Sequence, residues 1–267
     1  MVVKQVVDLG SYPYFDSPTP LPLAHRGGAL YEPNVGIENS LAAFHNAADL
    51  GFRYMETDVH CSADGVLYAF HDDTLERLTG NPATIASLPG AVIDAARLGN
   101  REPIPRMADL LESLPDVCFN VDIKADGALG PTLDLVRRMG AIDRVCFASF
   151  SDERLQKVRA AMPAAATSFS PKEVARFKLG IGPMRAYGVR RGAVCIQVPH
   201  RQGSITVVTR RFIERAHRLG LQVHVWTIDD ADEMRYLLDL GADGLVTDRI
   251  DVLKDVLMAR GLWRGQE

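Results

Sequence analysis

Eight short apolar runs recur along this chain, with stretches of helical periodicity between them. The pattern predicts strands over residues 21–25, 54–59, 118–123, 145–149, 165–169, 193–198, 222–226 and 244–247. Each run is bounded by Gly, Pro or Asp and is apolar nearly throughout, as strands buried on both faces require. Ser40 stands where it would cap a helix over 41–50 that Gly51 ends. Thr209 would cap one over 210–219 before Gly220, and Asp230 one over 231–240 before Gly241. Eight strands, each followed by a helix, predict an α/β fold of the (β/α)8 TIM-barrel type. The length of 267 residues suits one such domain, so positions 1–267 are read as a single unit. An open doubly wound sheet would need a Gly-rich phosphate loop after its first strand. Gly180-Ile181-Gly182 lacks the third glycine and comes too late in the chain.

The repeat is interrupted once. Residues 61–106, between the second and third strands, carry a turn at Ser62-Ala63-Asp64-Gly65 and then Pro82, Pro89, Pro103 and Pro105. An excursion of that length on the C-terminal side of a barrel strand is commonly a substrate-binding insertion. A net charge of −4 gives no electrostatic footprint for nucleic acid, so any anion site must be local. Cys118, Cys146 and Cys195 fall inside apolar runs, and Cys61, beside His60, is the one open to exposure. The four lie far apart with no Cys-x-x-Cys pair, which argues against a disulfide framework and for a reducing, cytoplasmic setting. Residues 1–20 contain no apolar stretch of signal-peptide length, and no window is long enough to cross a bilayer.

Chemistry gathers where strands end. Leu21–Ala24 leads to His25-Arg26-Gly27-Gly28, Arg53–Met55 to Glu56-Thr57-Asp58, Val66–Phe70 to His71-Asp72, and Cys118–Val121 to Asp122-Ile123-Lys124. Residues i and i+2 of a strand share a face, so Glu56 pairs with Asp58 and Asp122 with Lys124. Like charges crowded together resist ionisation unless a cation joins them. Three carboxylates supply hard oxygen donors, which select Ca²⁺ or Mg²⁺. His25 and His71 titrate near neutrality and suit proton transfer. Arg26 offers a planar donor fork, Lys124 a compact charge, and both fit phosphate oxygens. Ordinary salt bridges at a barrel mouth are the competing reading, and Arg26 could pair with Glu38, Glu56 or Asp58 under either.

In series, His25-Arg26-Gly27-Gly28, Glu38-Asn39-Ser40, Glu56-Thr57-Asp58, Asp64-Gly65 and His71-Asp72-Asp73-Thr74-Leu75-Glu76-Arg77-Leu78-Thr79-Gly80 closely resemble the glycerophosphodiester phosphodiesterase family. Asp122-Ile123-Lys124, Ser149-Phe150, Val225-Trp226-Thr227 and Gly244–Asp248 extend the resemblance over roughly residues 21–257. It implies a TIM barrel with one bound Ca²⁺ or Mg²⁺ that hydrolyses glycerophosphodiesters to sn-glycerol 3-phosphate and an alcohol. On that resemblance Glu56, Asp58 and Asp122 are metal ligands, and His25 and His71 are catalytic. Arg26 and Lys124 bind phosphate, Trp226 walls the glycerol carbons, and Glu38 helps organise the site. It also implies attack by the glycerol 2-hydroxyl through a cyclic phosphate, with His71 as acid and His25 as base. Two departures stand out. Asp122 occupies the position of the family's usual glutamate, and the Thr247–Ile250 segment lacks a proline common there.

Three other functions share parts of this pattern. A lipid-specific phosphodiesterase or phosphotransferase could use the same scaffold. A glycosidase would use the paired carboxylates but leave Arg26 and Lys124 without a purpose. A non-catalytic anion-binding homologue would have no need of two histidines.

Overall fold

The computed structural model describes residues 6–265. Eight parallel strands follow the chain: β1 (Leu21–His25), β2 (Tyr54–Cys61), β3 (Cys118–Ile123), β4 (Val145–Ala148), β5 (Ala166–Thr167), β6 (Cys195–Pro199), β7 (Gln222–Trp226) and β8 (Gly244–Thr247). Their order in the sheet is β5-β4-β3-β2-β1-β8-β7-β6. The two end strands meet through Val194 N–H to Thr167 O and Phe169 N–H to Cys195 O, both 2.9 Å, which brings the sheet round into a barrel. The predicted (β/α)8 architecture is therefore the observed one.

Alternation along the strands sorts side chains between two cores. Met55 and Val59 of β2, with Phe119, Val121 and Ile123 of β3, point outward into the main cluster under the helices. Leu21, Leu23, Tyr54, Cys146, Cys195 and Val246 point inward to a second cluster. The segment Pro13–Phe15 closes the lower end of that inner cluster. Tyr14 meets Tyr54 edge to face at 5.4 Å, and the Tyr54 hydroxyl donates to the Tyr14 carbonyl at 2.7 Å. One level up, the inward residues are neutral and polar: Gln197 donates to Asn120 Oδ1 at 3.0 Å, and His224 Nε2 lies 3.0 Å from Gln222 Oε1. At the strand ends they become charged. Glu56 follows Tyr54 and Asp122 follows Asn120 at the same two-residue step, with Asp58 and Asp122 opposite each other in register.

Several strand bounds differ from expectation, each for a pairing reason. β2 continues past Val59 to Cys61 because Leu67–Ala69 pairs with it antiparallel through the predicted turn. That pairing also buries Cys61, correcting the expected exposure. β5 shrinks to Ala166–Thr167 where the barrel closes, and β6 starts two residues and ends one residue later than read, Cys195–Pro199. The helix predicted over 210–219 ends at His217.

The excursion after β2 folds on its own small core of Tyr68, Phe70, Leu75, Ile85, Ile93, Leu98 and Ile104, packed with Ile37 and Ala43. The Tyr68 hydroxyl donates to Asp94 Oδ1 at 2.7 Å. The Phe70 N–H donates to the Asp58 carbonyl at 3.0 Å, which sets the next residue, His71, at the rim beside β2.

Candidate active site

Most charged side chains at the rim are placed by the end of a strand or by the turn that follows it, and Glu38, His71 and Arg77 by the longer loops between strands. After β1 the chain turns sharply: Arg26 lies at φ 52°, Gly27 at 83° and Gly28 at 90°. A Cβ on Gly27 would come within 2.9 Å of the Ala43 main chain, and one on Gly28 within 2.7 Å of Ile250. Only glycine satisfies both the backbone angle and the close approach. The turn folds back against the helix Leu41–Asp49, capped by Ser40 as predicted, and Asn39 N–H donates to Arg26 O at 2.9 Å.

His25 reaches across the seam between β1 and β8, where its Nδ1 lies 2.7 Å from Asp248 Oδ1; its Nε2 stands 3.7 Å from Glu56 Oε2. His71 is arranged likewise, with Nδ1 at 2.6 Å from Asp72 Oδ1. A carboxylate at Nδ1 fixes the tautomer and leaves Nε2 free to work. Burial opposes charge on His25, but Glu56 and Asp248 together raise its pKa above the ordinary imidazole value.

Arg26 donates to Glu38 at 2.9 Å and lies 3.3 Å from Asp58, so the ion pairs foreseen for it form with those two acids. Lys124 Nζ sits between Asp58 Oδ1 at 2.7 Å and Asp122 Oδ2 at 2.8 Å. Arg77 binds Asp72 through Nε at 2.6 Å and Glu38 through both terminal nitrogens at 3.0 and 2.7 Å. One guanidinium thus joins the carboxylate behind His71 to the carboxylate behind Arg26. His60, buried and held neutral by its burial, braces the same region through Nε2 at 3.1 Å from the His71 carbonyl. Asp248, Asp72 and Arg77 lie inside the sequence motifs, yet no local pattern marks them as partners of His25, His71 and Glu38. The signal for Asp248 was its place at the end of β8, since β8 pairs with β1.

The acids divide by surroundings. Burial raises Glu56, and nearby Asp58 adds to the effect. Asp58 is equally buried, yet Lys124 and Arg26 hold it below the carboxylate range. Asp122 is raised by burial despite Lys124. Among the described residues, no three His, Cys, Asp or Glu side chains stand grouped for a metal ion, and Lys124 is the cation between Asp58 and Asp122. The donor set nevertheless suits a hard dication. Glu56 Oε2 and Asp122 Oδ1 are buried without a hydrogen-bond partner, and unpaired buried acceptors of this kind are costly. Next to this group, Trp226 meets Phe150 edge to face at 6.1 Å, and Lys124 lies 5.7 Å from the Phe150 ring.

Barrel, charged rim and paired histidines together are those of a TIM-barrel hydrolase acting on phosphoric diesters. Residues 25–252 match the model of the glycerophosphoryl diester phosphodiesterase family, and the chain belongs to that family. It is 39% identical over 247 residues to the probable glycerophosphodiester phosphodiesterase 2 of Mycobacterium tuberculosis, covering 91% of this chain and 92% of the other. A glycerophosphodiester phosphodiesterase of Agrobacterium tumefaciens superposes with a TM-score of 0.74 at 26% identity, covering 89% of this chain and 99% of that one. An Oleispira antarctica phosphodiesterase, solved with its product sn-glycerol-3-phosphate, shares the fold at TM-score 0.77 and 21% identity, covering 90% and 97%.

Proposed function

We propose that this protein hydrolyses glycerophosphodiesters to sn-glycerol 3-phosphate and an alcohol, dependent on one divalent cation and on His25 and His71. The observation that carries the reading is the pair of histidines, each tied at Nδ1 to its own carboxylate, on a rim that also holds Arg26 and Lys124. Family membership supports the substrate class.

Arg26 and Lys124 offset the charge of the diester and orient its oxygens. His25, the deeper imidazole beside Glu56, removes the proton of the attacking glycerol 2-hydroxyl through Nε2. His71, nearer solvent, protonates the departing alkoxide, which leaves toward the open mouth. A cyclic phosphate results, and water opens it with the two histidines exchanging roles. Glu56, Asp58 and Asp122 would hold one Ca²⁺ or Mg²⁺, whose chemistry is Lewis-acid stabilisation of phosphate and hydroxyl oxygens. Trp226 and Phe150 offer an apolar wall for the glycerol carbons.

The chain is proposed to work as one catalytic domain, with residues 61–106 supplying His71 and its supports to the mouth. A cytoplasmic setting accords with four free thiols. Among the described residues no helix is long and apolar enough to cross a membrane.

The test is release of glycerol 3-phosphate from several glycerophosphodiesters during a metal titration. Activity is expected to vanish in EDTA and return with Ca²⁺ or Mg²⁺. Full turnover in EDTA would reject metal dependence. Turnover of glycosides with none of phosphodiesters would reject the reading altogether.

A further inference from the structure

A second charged region lies outside the cluster of Arg26, Lys124 and their acids. Between Lys172 and Arg218 the sequence holds eleven arginines and lysines against two carboxylates, in a chain whose overall charge is −4. One of those carboxylates, Glu173, is buried and already held by Arg159 and Arg191, so it offsets none of the charge at Lys178, Arg185, Arg215 or Arg218.

The fold brings part of this charge together. Arg185 Nε donates to the Gly180 carbonyl at 2.6 Å, and Lys178 Nζ to Thr206 O at 2.7 Å. Arg215 donates to Phe177 O at 3.0 Å and Lys178 O at 3.2 Å. Among the described residues none of these three, nor Arg218, has a carboxylate within ion-pair distance. Beyond partial burial, Arg185 and Arg218 stand close enough to Arg215 to push its pKa down by repulsion. Cations that crowd one another without a counter-charge raise the free energy of the surface unless an anion lies against it.

Aliphatic side chains project from the same place. Leu179 is 80% exposed, Ile181 76% and Met184 51%, running from the last residue of the helix Pro171–Leu179 into the short 3-10 helix Gly182–Ala186. The Lys178–Thr206 bond draws in the hairpin of Arg201–Gln202 and Ile205–Thr206, whose Ile205 is 61% exposed. That hairpin rises just beyond Pro199, which is paired with Trp226 at the barrel rim. Scattered exposed apolar residues need no explanation, but several set among cations that have no carboxylate partner do.

We propose that the turn 179–184 and the hairpin 201–206 form a docking surface for an anionic phospholipid membrane. Aliphatic tips insert at the acyl boundary while the surrounding guanidinium and ammonium groups meet lipid phosphates. A protein partner fits less well: a stable interface needs about 800 Å² on each side, more than a few aliphatic tips on a turn and a hairpin present. The exposed apolar tips are aliphatic, so they offer no stacking platform for a single-stranded nucleic acid.

The experiment is co-sedimentation of the full chain with phosphatidylcholine vesicles, with or without phosphatidylglycerol. Binding is expected only with phosphatidylglycerol present, and it should weaken with salt. Two variants separate the contributions: Leu179→Ser with Ile181→Ser, and Arg185→Glu with Arg218→Glu. Each is expected to weaken binding by about tenfold or more, while hydrolysis of a soluble glycerophosphodiester and the thermal melt stay at the parent values. Absence of binding to phosphatidylglycerol vesicles would overturn the proposal, as would unchanged binding by the aliphatic variant. Capture on polyglutamate beads that ignores Leu179 and Ile181 would point to an acidic polypeptide and equally overturn it.

Discussion

At the scale of single residues, the rim charges hold one another in place, with Glu56 Oε2 and Asp122 Oδ1 the acceptors left without a hydrogen bond. His25→Ala and His71→Ala are each expected to lower kcat by about 10²–10⁴-fold, with folding intact by circular dichroism; near-parent turnover in either would remove that histidine from the mechanism. Arg77 touches Asp72 and Glu38 rather than the reacting centre, so it acts by positioning. Arg77→Gln should reduce kcat by about tenfold or more, by analogy with the outer partners of metal-site histidines. Arg77→Lys should restore only part of that loss, because an ammonium cannot serve both acids as a fork does. A lysine variant equal to the parent would show that charge alone suffices. His25 offers a pH readout. Its pKa is raised because Glu56 and Asp248 favour imidazolium over the opposing effect of burial. A dication held at Glu56 would cancel part of that attraction, so the NMR titration midpoint of His25 should fall on adding Ca²⁺ or Mg²⁺. A midpoint unmoved by saturating cation would place the metal elsewhere. Asp122→Glu should tighten cation binding, measured by calorimetry, by letting the carboxylate reach one methylene further.

At the scale of elements, the turn after β1 is the most constrained piece of backbone. Gly28→Ala would put a methyl against Ile250 at a left-handed φ, costing about 1–3 kcal/mol. Urea unfolding measures this, and a variant as stable as the parent would mean that Ile250 gives way freely. The motifs at this turn were readable because glycine, an N-cap serine and strand alternation are local signals. The way the excursion delivers His71 was not. That residue owes its place to the Phe70–Asp58 main-chain bond and to a satellite core assembled from Tyr68 through Ile104. No periodicity of a few residues encodes such an arrangement.

At the scale of the whole molecule, the barrel interior grades from apolar to neutral polar to charged along its axis. His224 lies in the middle layer, fully buried, with its pKa lowered to about 4 by desolvation. The folded protein therefore keeps it neutral while the unfolded chain protonates it below about pH 6.5. Its contribution to stability is present above that pH and declines as pH falls toward 4. The expected slope is about 1.4 kcal/mol per pH unit in that window. A His224→Asn variant should lack this increment when unfolding free energies at pH 7 and pH 5 are compared. An identical pH dependence in both proteins would show that His224 is not the group responsible.

The sequence by itself determined the barrel, the capped helices and most of the rim residues, because continuous apolar runs, N-cap residues and glycine turns act within a few positions. Only the tertiary structure decided which charges meet. Asp248 finds His25 across the β1–β8 pairing, and Lys124 settles between two acids on neighbouring strands. Partners more than two hundred residues apart become neighbours through strand order and register, and their pKa values follow from the burial that this closure creates.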